Sequence, residues 1–142
     1  MNRDEMIARA ISVLDTAGIV KKDKNSEKLY IEKAFRGQIS SFGAAVEMGS
    51  LLSAVAFFSS QGSSPTDRTK LMEAIYLLLT GNEKKDIKEN ETLFRYVAQN
   101  PNNQQLKREV IDAAVAIKLA MNAYELRDVK KKGGDEGEKQ KS

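Results

Sequence analysis

The sequence contains no histidine, no cysteine and no tryptophan among its 142 residues. Without imidazole or thiol groups the chain cannot form a Ser-His-Asp or Cys-His nucleophile pair, and it cannot build a zinc cluster from cysteine and histidine. Carboxylates, lysines and hydroxyls are the groups that remain for catalysis. The absence of cysteine also excludes a disulfide framework, and with it the class of small disulfide-stabilised secreted scaffolds.

The sequence also lacks long apolar segments. Its apolar runs are too short and too interrupted to span a bilayer. The first ten residues, MNRDEMIARA, carry an acidic pair and no apolar core of the kind found in signal peptides. We therefore expect a cytoplasmic protein with no membrane partner. With 41% hydrophobic and 30% charged residues, the chain has the composition of one globular domain, which we place at residues 1–129.

Charge is nearly balanced over that domain. The chain has a formal net charge of +3, but its last thirteen residues, KKKGGDEGEKQKS, contain five lysines and three acidic residues. The remainder holds 18 basic and 17 acidic residues. Any contact with nucleic acid must therefore come from a local patch of charge. The segment 130–142 is polar and glycine-rich, and we expect it to be disordered.

Helix-forming patterns occupy the first half of the domain. The spacing of Asn2 and Glu5 predicts a capping box and a first helix that ends at Gly18. The polar segment KKDKNSEK is typical of a solvated loop, in which Ser26 is the predicted N-cap of the next helix. Apolar residues then recur at a 3.6-residue period from Glu27 to Met48, which predicts one long helix.

Similar signals continue through the second half. Ser50 is the predicted N-cap of a third helix. Ser64 as N-cap and Pro65 at the first helical position predict the start of a fourth helix, which Gly81 ends. A short helix and a last helix from about Gln104 to Val129 follow. Because no stretch alternates with the period of a strand, the predicted fold class is all-α, a compact bundle of about six helices.

The side of the long helix opposite its apolar stripe, which we call its outer face, is built from small residues and edged by two cations. This face holds Lys33, Arg36, Gly37, Ser40, Gly43 and Ala44. A glycine inside a helix costs about 1 kcal/mol relative to alanine. Two such glycines indicate that something packs close to this face, either a phosphate backbone or a neighbouring helix, and we favour the helix.

The last helix carries two apolar stripes. One contains Leu106, Val110, Ala113, Ala114, Ile117, Met121 and Tyr124, and the other contains Ile111, Val115, Leu119 and Leu126. Such a helix either lies at the centre of the bundle or docks a partner subunit with its second stripe. Lys107 and Lys118 lie at the border between the stripes, where a lysine can bury its stem and expose its ammonium group.

The carboxylates offer the best case for catalysis. Glu47, Glu73, Asp67 and Asp112 are the candidates for a magnesium site. No motif fixes their geometry, since the sequence has no Walker loop, no ExxH pair and no dinucleotide-binding glycines. We therefore expect a protein that is not an enzyme and that needs no metal or cofactor.

Signals for sequence-specific nucleic-acid recognition are weak. The chain has no helix-turn-helix signature and no run of aromatic residues interleaved with basic ones. Phe35 is close to Lys33 and Arg36 in sequence, but it falls on the apolar stripe and is predicted to be core. Contact with phosphates through scattered lysines and arginines remains, a mode suited to an A-form duplex held by other proteins.

Two segments carry a resemblance to a known family. They are YIEKAFRGQISSFGAAVEMGSLLSAVAFFS and VIDAAVAIKLAMNAYELR. The first is a long helix, a break at glycine and a helix rich in alanine and phenylalanine; the second is an alanine-rich helix near the end of the chain. In order and spacing they resemble the signature regions of the small all-helical subunit of the type III-B (Cmr) CRISPR effector complex.

The resemblance implies a non-catalytic role in antiviral defence. Copies of such a subunit stack into a filament beside the guide-carrying backbone subunit, along the groove where guide RNA and target RNA pair. Cleavage then belongs to other subunits. Matching helix faces makes Lys33, Arg36, Lys118 and Arg127 the candidates for RNA contact, together with Lys107.

Two other interpretations stay open. In the first, the protein is a helical adaptor without an RNA role, and its second apolar stripe binds another protein. In the second, it is the small helical subunit of the related type III-A complex, which has a similar role with different partners.

Overall fold

The computed structural model describes residues 1–81 and 91–129. Within these ranges the helices are α1 (Arg3–Thr16), α2 (Ala34–Met48), α3 (Leu51–Phe58), α4 (Thr69–Thr80), α5 (Leu93–Ala98) and α6 (Gln104–Ala120), followed by a 3-10 turn (Met121–Ala123). The strands are β1 (Val20–Lys22), β2 (Leu29–Glu32) and β3 (Glu125–Arg127). The tail predicted to be disordered, 130–142, lies outside the described residues. No helix in the described ranges is long and apolar enough to cross a membrane.

Helix α6 is the central element of the bundle, since it packs against α1, α2 and α4. Its first apolar stripe is buried from Leu106 to Met121. The second stripe is only partly covered, and Leu119 is exposed. Helix α6 therefore lies at the centre of the bundle, as one of the two interpretations of its stripes states. Its second stripe is not fully buried by other residues of the described chain.

The core lies between the helices and is aromatic where α2 meets α3. Phe42 of α2 and Phe58 of α3 pack edge to face, with ring centroids 5.3 Å apart. Phe35 is also buried, as predicted from its place on the apolar stripe. The inner face of α2 is thereby committed to the core, which leaves its opposite face for other contacts.

Three helix ends confirm local predictions. Asn2 and Glu5 form a reciprocal capping box at the start of α1, with bonds of 2.8 and 2.9 Å. The Ser50 hydroxyl accepts the Ser53 amide at the start of α3. Gly81 ends α4 in the left-handed region, at φ 73°, where glycine carries no steric penalty.

The all-α prediction is wrong in part, because the described chain includes a three-stranded sheet. Strand β2 lies in the middle, antiparallel to β1 and parallel to β3, so that Ile31 is paired with both Val20 and Leu126. Ser26 does not cap a helix. The Asp23 carboxylate accepts the amides of Asn25 and Ser26 and closes a turn between β1 and β2. Helix α2 therefore begins at Ala34 and not at residue 27.

The last helix is also shorter than predicted. It ends at Ala120, and the chain turns at residues 121–123 before it extends into β3. The extended segment is held by hydrogen bonds to a distant part of the chain. The Lys33 amide donates to the Arg127 carbonyl at 2.7 Å, next to the β2–β3 pairing. The hydrogen bonds that hold this conformation come from a segment almost a hundred residues earlier in the chain. The helical periodicity of the sequence cannot predict a contact of this kind.

The start of α4 differs as well. Ser64 and Pro65 precede the helix, which begins at Thr69. The Ser64 hydroxyl accepts the Thr66 amide, within a loop that Arg68 organises. The Arg68 guanidinium donates to the carbonyls of Ser60 at 2.9 Å and Phe57 at 2.7 Å. These bonds satisfy carbonyl groups at and beyond the end of α3, and they hold the loop in place of an earlier helix start.

Candidate nucleic-acid interface

An open groove of about 660 Å³ lies along the outer face of α2. We call it the cation groove, and the residues that line it include Lys33, Arg36, Gly37, Ser40, Thr66 and Lys118. Lys33 immediately precedes α2, Arg36 belongs to its first turn, and Lys118 comes from the last turn of α6. The packing of α2 on α6 thus brings together three of the five cations predicted to contact RNA.

The cation groove keeps its positive charge. Neither Lys33, Arg36 nor Lys118 forms an ion pair with another residue in the ranges 1–81 and 91–129. The Arg36 guanidinium donates to the side-chain oxygen of Asn122 at 2.9 Å, a neutral partner that orients it without cancelling its charge. Asp128 is the one acidic residue among the described residues that line the groove. The lining therefore favours an anion.

The small residues of α2 continue the open face beyond the cation groove. A second groove, of about 260 Å³, runs between α2 and α6 and shares Ser40 and Lys118 with the first. Apart from neighbouring residues and backbone of α2 itself, a Cβ atom added at Gly37 or Gly43 would meet no described atom within 4 Å. The prediction that a neighbouring helix packs on these glycines is therefore wrong within the described chain. Contact with a phosphate backbone stays a prediction.

Arg127 lies elsewhere, in the sheet. Its guanidinium donates to Asp23 at 2.7 Å and to both oxygens of Glu125 at 3.0 and 3.1 Å, and it lies 4.5 Å from the centre of the Tyr30 ring. The hydrogen bond from Arg127 lowers the pKa of Asp23 to about 2 and also lowers the pKa of Glu125. Two carboxylates thus neutralise this arginine, which links β3 to the turn after β1.

Lys107 is separated from the other candidates along α6. Eleven residues of helix place it roughly 16 Å from Lys118 along the axis. Its ammonium group lies 3.5 Å from the carbonyl oxygen of Gly49, just beyond the end of α2. A cation at this position interacts favourably with the helix dipole. The structure gives Lys107 a local partner and does not bring it to the cation groove.

The candidate carboxylates are not gathered into one site. Asp67 accepts the amide and the hydroxyl of Thr69, and Asp112 lies 3.6 Å from Arg3 in an exposed ion pair. Glu47 lines the groove between α2 and α6. Among residues 1–81 and 91–129, no three acidic side chains come together as a metal site would require. That the protein is not an enzyme stays a prediction.

A further groove, of about 520 Å³, contains residues that sequence reasoning missed. We call it the aromatic groove; Phe57, Phe58, Arg68, Gln38 and Gly62 are among its lining residues. It shares Ala34, Gly37 and Ser64 with the cation groove, so the two are neighbours. The adjacent phenylalanines of α3 were a signal, because successive helix positions lie about 100° apart around the axis. Only Phe58 continues the helical spacing of Leu51 and Val55, which points Phe57 toward a different side of the helix.

Comparisons of the chain with protein-family models, with curated proteins and with solved structures found no match. The resemblance described above therefore stays a prediction about the family.

Proposed function

We propose that the protein is a non-catalytic small subunit of a type III-B CRISPR ribonucleoprotein effector complex. In this role it stacks with copies of itself and supports the pairing of guide RNA with target RNA in antiviral defence. The observation that carries the proposal is the cation groove, where Lys33, Arg36 and Lys118 converge without an ion pair among the described residues.

The chemistry of this groove suits a phosphate backbone. Lysine and arginine contact phosphate oxygens without reading the bases, and an A-form duplex is recognised mainly by its shape and its backbone. A subunit that only supports a duplex held by other subunits needs a few such contacts. The nearly balanced charge of the rest of the domain agrees with this mode, since it does not require strong binding of free RNA.

Exposed apolar residues support contact with other subunits. Met48, at the end of α2, is 88% exposed, and Leu119, on the second stripe of α6, is also exposed. The groove between α2 and α6 is lined by Glu47 and Lys118, which directly precede these two residues in the sequence. The partners that we propose are the guide-carrying backbone subunit and further copies of this chain.

The test is a triple variant, Lys33→Ala with Arg36→Ala and Lys118→Ala, assembled into the complex. We expect weaker binding of target RNA, and a log–log slope of affinity against salt concentration that falls by up to about 3, because about one counterion is released per phosphate contact. Helical content by circular dichroism should not change, since none of the three side chains is in an ion pair within the described residues.

Lys107→Ala provides the matched control. It removes a lysine from the same helix as Lys118 but outside the cation groove. We expect this variant to keep the RNA affinity and the salt slope of the wild type. An assembled complex in which the triple variant binds RNA as the wild type does would reject the proposal.

The adaptor alternative is favoured by one observation, the partly exposed second stripe of α6. An adaptor would keep its protein partner after the three charges are removed, and it would co-purify without guide RNA. The type III-A alternative is separated by the identity of the subunits that co-purify with the tagged chain.

A further inference from the structure

Phe57 is the exposed aromatic residue next to the cation groove. It belongs to the last turn of α3, and 62% of its surface is exposed, whereas the adjacent Phe58 is buried. The two rings are in edge-to-face contact, with centroids 5.5 Å apart. Exposing a large aromatic ring forgoes the stabilisation that its burial would bring. The exposed surface of the Phe57 ring is therefore accessible to a ligand, while the contact with buried Phe58 fixes the ring on the core.

Arg68 makes this aromatic position rigid. Its guanidinium carbon lies 4.3 Å from the centre of the Phe57 ring, and its hydrogen bonds to the carbonyls of Phe57 and Ser60 hold the plane there. A side chain at position 62 would approach this guanidinium to 3.0 Å, so the glycine there leaves space for the Arg68 side chain. Aromatic rings and guanidinium planes are the surfaces on which proteins stack unpaired bases.

Two residues that line these neighbouring grooves each have a buried polar side-chain atom. Thr66 lines the cation groove and is 2% exposed, and Gln38 lines the aromatic groove. The Gln38 amide donates to the Thr66 carbonyl at 3.0 Å. The Thr66 hydroxyl and the Gln38 side-chain oxygen have no hydrogen-bond partner among the described residues. A buried polar group without a partner is costly, so a polar ligand that satisfied either one would gain affinity.

We propose that the two grooves together bind an unpaired nucleotide of a single-stranded RNA segment. The base stacks on the ring of Phe57, whose other face is covered by Arg68, and the flanking phosphates lie against Lys33, Arg36 and Lys118. The inference rests on the proposed function for the chemistry of the ligand, and it adds a recognition mode that an RNA duplex does not use. Base stacking accepts any sequence, which suits a subunit that must work with many targets.

An apolar partner protein is the other occupant that an exposed phenylalanine would fit. The surroundings favour RNA, because three cations without ion pairs in the described chain line the groove next to Phe57. Lysine in particular is depleted where protein partners meet, whereas basic residues beside an aromatic ring are what single-stranded nucleic acid requires.

The absence of tryptophan from the chain provides a direct probe of stacking. In the full-length Phe57→Trp variant, the new indole is the sole tryptophan, and a base that stacks on it quenches its fluorescence. We would titrate this variant at low salt with an oligouridine of about ten nucleotides, a length within the usual site sizes for single strands. The control ligand is the same oligomer with abasic riboses. We expect quenching by the oligouridine and none by the abasic oligomer.

Affinities of the natural chain and its variants complete the test. By fluorescence anisotropy with labelled oligouridine, we expect Phe57→Ala to bind about tenfold more weakly, as expected for the loss of one stacked base, and Phe57→Trp to bind as the wild type does. Phe94→Ala is the matched control, because Phe94 is also exposed but lines neither groove. It should leave the affinity unchanged.

The outcomes separate this inference from the proposed function. If the triple variant of Lys33, Arg36 and Lys118 loses RNA affinity while Phe57→Ala keeps it, the stacking site is rejected and the phosphate contacts stand. Equal quenching by both oligomers would reject it as well. If Phe57→Ala instead loses a co-purifying subunit with unchanged RNA affinity, Phe57 belongs to a protein interface and the inference is wrong.

Discussion

The two faces of α2 differ in how far other residues of the chain cover them. The inner face carries Phe35, Ile39, Phe42 and Val46, and each is at most 1% exposed. The outer face carries two glycines at which an added Cβ would meet no described atom within 4 Å apart from neighbouring residues and backbone of α2 itself. Internal packing accounts for every one of these inner-face residues and for neither glycine.

A similar contrast separates two arginines. Arg127 is held by two carboxylates and the ring of Tyr30, whereas the described partner of Arg36 is the neutral side chain of Asn122. Both were candidates for RNA contact on the sequence. Two carboxylates compensate the charge of Arg127, whereas no described carboxylate compensates that of Arg36, so the surroundings of Arg36 are the more favourable to an anion.

The largest effect is expected on the inner face. Phe42→Ala removes a fully buried ring and its edge-to-face contact with Phe58, so it should lower the free energy of unfolding by about 3–5 kcal/mol. Urea denaturation followed by circular dichroism measures this loss. A decrease below about 1 kcal/mol would show that the contact between α2 and α3 is not part of the stable core.

A smaller effect is expected when the compensated arginine is removed. Arg127→Ala should lower the melting temperature at neutral pH by a few degrees, because β3 loses its link to the turn after β1. The pKa of Asp23 is lowered to about 2, from about 4 in an unfolded chain, and that of Glu125 is lowered too. Stabilisation by Asp23 is therefore full above about pH 4 and is lost as the pH falls through about 2; stabilisation by Glu125 is likewise lost on acidification, because its pKa is also lowered in the folded chain.

The pH dependence provides the check on Arg127. The difference in melting temperature between wild type and Arg127→Ala should be largest near neutral pH and should shrink from about pH 4 to about pH 2. Arg36→Ala is the matched control, since no carboxylate partner within the described residues holds its guanidinium. A difference for Arg127→Ala that stays constant across this range would contradict the role assigned to Asp23 and Glu125.

The smallest expected effect is an increase in stability, whereas the preceding substitutions lower it. Gly37→Ala and Gly43→Ala should each raise the free energy of unfolding by about 0.5–1 kcal/mol, because alanine is the better helix former and the new methyl group meets no described atom. Gly81→Ala is the matched control. It should destabilise, since Gly81 occupies the left-handed region at φ 73°.

These glycine variants also test whether RNA approaches the outer face of α2. If the outer face of α2 approaches a phosphate backbone, a methyl group at position 37 narrows the cation groove and should weaken target-RNA binding by the complex, even as the chain becomes more stable. Stabilised variants with unchanged RNA affinity would mean that RNA does not approach these glycines.

The features predicted correctly from the sequence depend on local chemistry. The Asn2–Glu5 capping box, the Ser50 cap and the end of α4 at Gly81 each involve groups within a few residues of one another. The buried stripes of α2 and α6 follow from a 3.6-residue period. By contrast, β1, β2 and β3 have three or four residues each, which is too short for an alternating pattern to stand out.

The amino-acid order alone predicts where most helices form and which of their faces are buried, because backbone capping and helical periodicity act over neighbouring residues. The remaining features depend on contacts between distant segments. The tertiary structure converted residues 125–127 from predicted helix to strand, since β2 supplies the hydrogen bonds. It also occupied Arg127 with two carboxylates and brought Lys118 to Lys33 and Arg36. Such contacts join residues far apart in sequence, and only the packing of α2 against α6 and the pairing of β2 with β3 bring them within reach.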